Sequence, residues 1–265
     1  MTTKEFQKII RAHYKKHKRE FPWRKTRDPY RILVSEIMLQ QTQAHRVLPK
    51  YKSFVKKFPT VEALARGKLS VVLNEWQGLG YNRRALYLKR TAETIHKNFS
   101  GKFPKDFKTL SSLPGVGPVT AGDIMAFAWN APVSVIETNV RSVFIHFFFN
   151  DRKNIPDKKI IPLIEKTLDR KNPREWYYAL FDYGVYIKKT GNPSRRSAHY
   201  VKQSRFEGSH RQKRAQVLKM ILNSSYTKAE ISKRLGYAPE ILSRIIFDLK
   251  KEGFIQAKNR RYHPL

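Results

Sequence analysis

Residues 113 to 124 read LPGVGPVTAGDI, with three glycines and two prolines in twelve positions between two helical patterns. Leu113 and Val116 can anchor such a turn in a core, while Gly115 and Gly117 permit close backbone approach and positive φ. A new helix is predicted to start at Pro118, where exposed N–H groups could grip a phosphate. Taken alone, the turn serves an ordinary helix hairpin equally well. Most other segments read as helices of roughly eight to sixteen residues joined by short polar turns, so an all-α core is expected.

Charge indicates the partner. The chain carries 54 Lys+Arg against 21 Asp+Glu, a net charge of +33, and an excess of that size on a folded length points to a polyanion, nucleic acid foremost. With 265 residues, 40% hydrophobic and 12% aromatic, the chain can bury a core. No segment approaches the roughly eighteen uninterrupted apolar residues of a membrane span. The N-terminal MTTKEFQKIIRAHYKKHKRE lacks a secretory apolar run and reads as an amphipathic helix with Phe6, Ile9, Ile10, His13 and Tyr14 on one face. A cytoplasmic monomer, nucleoid-associated in a prokaryote, is expected. There are no cysteines, which removes disulfides, thiolate catalysis, Cys-ligated zinc and iron–sulfur clusters; no metal or cofactor is expected.

The texture changes near residue 188. KKTGNPSRRSAHYVKQSRFEGSHRQKR is basic and poor in aliphatics, and residues 188 to 265 carry +14, against +19 for the first 187. Beyond it, a helical run from His210 to Leu222 precedes TKAEISKRLG, where Thr227 and Glu230 have capping-box spacing. APEILSRIIFDLKKEG follows with Pro239 pre-set for a first helical turn, and FIQAKNRRYHPL alternates around Lys258-Asn259-Arg260 as a short hairpin would. Three helices and a hairpin suggest a winged helix (α+β), its third helix entering a DNA groove and Arg260 and Arg261 touching backbone; a protein-interaction module is the alternative. The expected division is a core over 1–187, a basic connector over 188–208 and the winged helix over 209–265.

Several ordered motifs then acquire a common meaning. FPWRKTRDPYRILVSEIMLQQTQAHRVLPKY, FPTVEALA, WQGLGYNRRALYLKRTA, GKFP, the Gly-rich hairpin and VIETNVRSV follow one another over residues 5 to 187. They resemble the helix-hairpin-helix DNA glycosylase superfamily that includes endonuclease III and the MutY-type adenine glycosylases. The resemblance implies a two-subdomain helical core, base excision repair, and double-stranded DNA with a mispaired or damaged base as partner.

Base removal from deoxyribose needs a proton on the leaving base and negative charge near the sugar as oxocarbenium character develops. Two carboxylates in different environments can divide that work. By resemblance Glu36, set in the apolar stripe YRILVSEIMLQ, is the acid that protonates adenine, and desolvation there would raise its pKa. Glu137 stands where the family carries an aspartate, as the ionised partner; its other reading is a helix cap alone. Valine at 119, where endonuclease III-type members have lysine and the MutY type serine, cannot form a Schiff base, which implies a monofunctional enzyme.

Base flipping requires a wedge and a pocket, for which Gln40, Gln41 and Tyr81 are the candidates; Asn82 departs from the MutY-type tyrosine. Leu113, Gly115, Val116, Gly117, Val119 and Thr120 form the DNA-contacting hairpin. The four cluster cysteines of the superfamily align with Lys188, Arg195, Ala198 and Ser204, so no cluster forms, but Arg195 and Arg196 can still meet phosphates. The reading is an adenine glycosylase acting opposite guanine or 8-oxoguanine. Alternatives are a uracil or thymine glycosylase on mismatched guanine, or a non-catalytic DNA-binding homologue.

Overall fold

The computed structural model describes residues 1–265. Fourteen helices and one hairpin follow in order. The first helices are α1 (Thr3–His17), α2 (Pro29–Leu39), α3 (Ala44–Lys57), α4 (Val61–Arg66), α5 (Leu69–Trp76) and α6 (Arg83–Asn98). Next come α7 (Phe107–Ser112), α8 (Pro118–Trp129), α9 (Thr138–Phe148), α10 (Asp157–Thr167) and α11 (Pro173–Ile187). After a 3-10 turn at Pro193–Arg196, α12 (His210–Asn223), α13 (Lys228–Leu235), α14 (Pro239–Lys251), β1 (Ile255–Lys258) and β2 (Arg261–Pro264) complete the chain. The fold is all-helical apart from that C-terminal hairpin. It forms two compact units, Met1–Glu36 with Pro104–Lys202, and Ile37–Phe103 with Gln203–Leu265.

In the first unit, α1 starts from a reciprocal cap: Thr2 accepts from Glu5 N while the Glu5 carboxylate accepts from Thr2 N. That satisfies two donors a helix start leaves open. The helix delivers Phe6, fully buried, into an aromatic cluster with ring centroids 5.2 Å from Phe144, 5.1 Å from Phe148 and 5.8 Å from Trp176. Ile10 is buried beside it, but Ile9, predicted on the same face, is 39% exposed, because one step along a helix turns the side chain by about 100°.

A charged knot ties the segment after α1, from Arg19 to the 3-10 turn Pro22–Arg24, to α11. Arg24 grips Asp182 with both terminal nitrogens at 2.8 Å, and Arg19 adds Nε at 2.6 Å and its backbone N–H at 3.0 Å. Burial pushes the Asp182 carboxyl up, yet the hydrogen bonds and charges of Arg24 and Arg19 outweigh it and hold it below its ordinary range. Removing one partner of a buried pair strands the other charge, so Asp182→Asn should cost about 3 kcal/mol at neutral pH. A depressed carboxyl contributes stability above its unfolded pKa of about 4 and loses it as pH falls further. Thermal unfolding should therefore separate the variant from wild type at pH 7 by a margin that narrows as pH falls below about 4; equal midpoints at pH 7 would refute the role.

In the second unit, α13 begins with the predicted capping box of Thr227 and Glu230, and ends at Gly236, whose φ of 66° suits glycine. Pro239 opens α14. The hairpin pairs Lys258 with Arg261, so its turn is Asn259-Arg260, with φ of 51° and 58°. Two consecutive left-handed residues make the turn whose twist matches paired strands. This three-helix module is tied to α6 of its own unit: Glu252 accepts from Arg83 at 2.7 Å and from both terminal nitrogens of Arg214 at 2.8 and 2.7 Å. Burial pushes the Glu252 carboxyl up, but the two arginines prevail and hold it down to about 2.

Candidate active site

Glu36 sits one turn from the end of α2, in a run where Ile32, Leu33, Val34, Ser35, Ile37 and Met38 are all buried. Its carboxyl is pushed up to about 8, first by burial and then by the charge of Glu137; Arg24 and a hydrogen bond from Ser35 oppose this. A carboxyl held in that range is protonated at neutral pH and can donate its proton.

Glu137 is the N-cap of α9. Its Oε1 accepts from the backbone N–H of Asn139 at 2.6 Å and of Val140 at 2.8 Å, and its Oε2 accepts from Asn139 Nδ2 at 3.1 Å. Thr138 is the first helical residue, as predicted, and the positive end of the helix favours an anion there. Burial raises the Glu137 carboxyl above its usual value; the two backbone hydrogen bonds, Lys188 and Arg141 all pull against it. The oxygens that cap α9 are thus the same ones whose charge these groups sustain.

Sequence reasoning missed a third carboxyl. Asp123 on α8 is 4% exposed, and burial followed by the charges of Glu36 and Glu137 raises it well above its usual range. Its Oδ1 has no hydrogen-bond partner. The signal was present: an acid inside AGDIMAFA, where every neighbour but Met125 is buried. Three carboxyls in one unit therefore share a poorly solvated region. Such a group cannot ionise throughout, so the protons are distributed among its members.

The hairpin joins α7 to α8 through a tight turn in which Val116 N donates to Leu113 O at 3.0 Å. Gly115 has φ of 74°, as the turn requires. Gly117 does not: its φ of −83° is open to any residue, and what glycine leaves there is empty space where a Cβ would stand. No side chain caps α8. Leu113, Val116 and Thr120 are buried, so their side chains serve the core and the outer face belongs to Gly115, Gly117 and Val119, the last 39% exposed.

The other candidates fall on two strained turns organised by Arg84, another residue the sequence did not single out. Buried at 8% exposure, it donates from Nη1 to the carbonyls of Ile37, Met38 and Gln40 and from Nη2 to Thr42 Oγ1 and the carbonyls of Leu79 and Gly80. It thereby fixes the Gln40-Gln41 turn, with exposed Gln41 at φ of 53°, and the Tyr81-Asn82 turn, with Tyr81 at φ of 48°. Left-handed non-glycine residues persist only where surroundings dictate them. Tyr81 differs from the expected wedge, because its phenolic oxygen accepts from Gln203 Nε2 and Arg211 Nη1.

Among the basic candidates, Arg195 and Arg260 are exposed. Arg196 donates to Ile145 O at 3.2 Å. Arg261 is held by Ser225 O at 3.0 Å and by both Glu230 carboxylate oxygens, so its expected phosphate contact gives way to an internal pair. The residues at the cluster positions do not fit a cluster: Lys188 donates to Asn139, Ser204 accepts from Arg211, and neither Arg195 nor Ala198 offers a thiolate.

Residues 34–169 match the HhH-GPD superfamily of base excision DNA repair proteins. The chain is 36% identical over 198 residues to the adenine DNA glycosylase of Buchnera aphidicola subsp. Baizongia pistaciae (strain Bp), covering 73% of this chain and 56% of that one. It is 29% identical over 187 residues to the thymine/uracil-DNA glycosylase of Methanothermobacter thermautotrophicus, covering 69% and 85%. A solved thermostable thymine-DNA glycosylase superposes with a TM-score of 0.63 at 28% identity, over 69% of this chain and 86% of that one. The chain spans about half the length of the adenine glycosylases from Buchnera that it matches, at 56%, 55% and 53%.

Proposed function

Because the chain belongs to the HhH-GPD superfamily of base excision DNA repair proteins, we propose that it is a monofunctional DNA glycosylase removing mispaired adenine from duplex DNA. The observation that carries this reading is the division of Glu36 and Glu137: one carboxyl raised to about 8, the other capping a helix with two backbone donors. Glu36 gives its proton to the departing base. Glu137 stabilises the cationic sugar as the bond opens, and water completes hydrolysis. Val119 supplies no amine, so the product is an intact strand with an abasic site.

The deciding experiment is a panel of duplexes with a single adenine, thymine, uracil or hypoxanthine opposite guanine or 8-oxoguanine, incubated with the protein and split with and without alkali. Adenine loss that becomes a strand break only after alkali is expected. A second reading, thymine or uracil removal opposite guanine, draws support from Asn82 and from the similarity to thymine-DNA glycosylase. Loss confined to thymine or uracil would establish it; no loss from any duplex would leave a DNA-binding homologue.

Duplex binding should be carried by the hairpin backbone and by exposed Arg195 and Arg260. Each phosphate neutralised contributes about 0.9 to the slope of log K against log salt. Arg260→Ala and Arg195→Ala should each flatten that slope by about 0.9, whereas Arg261→Ala should chiefly destabilise the hairpin through loss of Glu230. An unchanged slope in Arg260→Ala would direct the winged helix towards a protein partner instead.

A further inference from the structure

Lys188 is the first residue beyond α11 and stands where the resemblance places the first cluster cysteine. α11 packs directly on the start of α9, where a Cβ added to Gly184 would lie 2.6 Å from Asn139 Cβ and 2.7 Å from Asn139 O. One turn further on, Lys188 shares that face. Its Nζ donates to Asn139 Oδ1 at 2.8 Å, and the other end of the same amide, Nδ2, donates to Glu137 Oε2 at 3.1 Å.

We propose that Lys188 is a positioning residue for Glu137, which fixes the Asn139 amide so that its NH2 group faces the carboxylate and supplies a positive charge that no other carboxylate claims. The proposal rests on reading Glu137 as the ionised partner in base excision.

The charges around Glu137 support this assignment. Glu36 from α2 and Asp123 from α8 oppose its ionisation, while Arg141 of its own helix and Lys188 favour it. Arg141 is already clamped to Asp157, with Nε and Nη2 each 2.7 Å from a carboxylate oxygen. Arg24, which faces Glu36, is clamped to Asp182 in the same way. Lys188 has no carboxylate of its own. Burial pushes its amine down, and the nearby charge of Glu137 pushes it back up, so each group sustains the charge of the other.

The test needs no DNA in its first part. Protein labelled with carbon-13 at glutamate carboxyls, with Glu137→Gln assigning the signal, reports the titration of Glu137 directly. In Lys188→Met that carboxyl should titrate at least about one pH unit higher than in wild type, and Lys188→Arg, which keeps the charge, should remain close to wild type. In single-turnover excision Lys188→Met should lose about tenfold on the acid side, and the deficit should narrow as pH approaches 8, with duplex affinity within about twofold.

An unmoved Glu137 titration, or a deficit constant across pH, overturns the proposal. If Lys188→Met fails to fold, Lys188→Gln, which keeps a polar side chain without the charge, must displace the titration upward. A wild-type protein that excises no base defeats the proposed activity instead, and the carboxyl titration still decides the role of Lys188.

Discussion

Glu36→Gln lowers single-turnover base excision by at least about 100-fold while duplex affinity changes little, because the amide keeps the shape but has no proton to give. The pH profile makes the result specific. With Glu36 raised to about 8, wild-type activity should fall as pH rises through that range, and the residual activity of Glu36→Gln should lack this alkaline limb. The same substitution should stabilise the fold. A carboxyl whose pKa is raised on folding costs stability progressively as pH climbs from its unfolded value of about 4.3 to its folded one. The thermal midpoint of Glu36→Gln should therefore exceed that of wild type by a margin that grows from pH 5 to pH 8. Equal excision rates would remove Glu36 from the chemistry, and equal midpoints would contradict its burial.

Glu137→Gln should have the larger effect, about 1000-fold in single-turnover rate, since it removes charge from the place where the sugar becomes cationic. The helix cap should be retained, because the glutamine oxygen can still accept from Asn139 N and Val140 N, so the loss of rate is not a loss of fold. That separation of rate from stability is what a residue serving only as a cap would not produce. Glu137→Asp keeps both the charge and the cap and should remain within about tenfold of wild type. Burial raises the Glu137 carboxyl, so the acid limb of the wild-type profile should lie above the ordinary glutamate range. A Glu137→Gln protein as active as wild type would leave Glu137 as a cap and nothing more.

These expectations were legible in the sequence to the extent that their causes are local. The Thr227-Glu230 cap, Pro118 and Pro239 at helix starts, the Gly115 turn and the placement of Glu137 just before a helix are written within a few residues of one another. Glu36 was legible because an acid inside an apolar stripe contradicts its surroundings. Asp123 offers the same contradiction, but it lies in a stretch dominated by its glycines. The relay from Lys188 to Asn139 spans 49 positions, and the six bonds of Arg84 reach as far as 47; spacing along a chain carries no trace of either. The different fates of Arg260 and Arg261 turned on which strand residue faces Glu230, a matter of hairpin register rather than composition.

The interleaving of the two units bears on how the chain is made. The segment Ile37–Phe103 belongs with Gln203–Leu265, so about a hundred residues of the other unit must leave the ribosome before its partner begins to appear. At roughly 5 to 20 residues per second that is a wait of about 5 to 20 s, during which Arg83 and Tyr81 lack Glu252 and Arg211, and α5 lacks α12, which later packs against it. A nascent chain stopped between residues 103 and 203 therefore presents an unfinished apolar face. Chaperone dependence during synthesis should exceed anything seen when the full-length chain is diluted from denaturant, where both segments are present from the first instant.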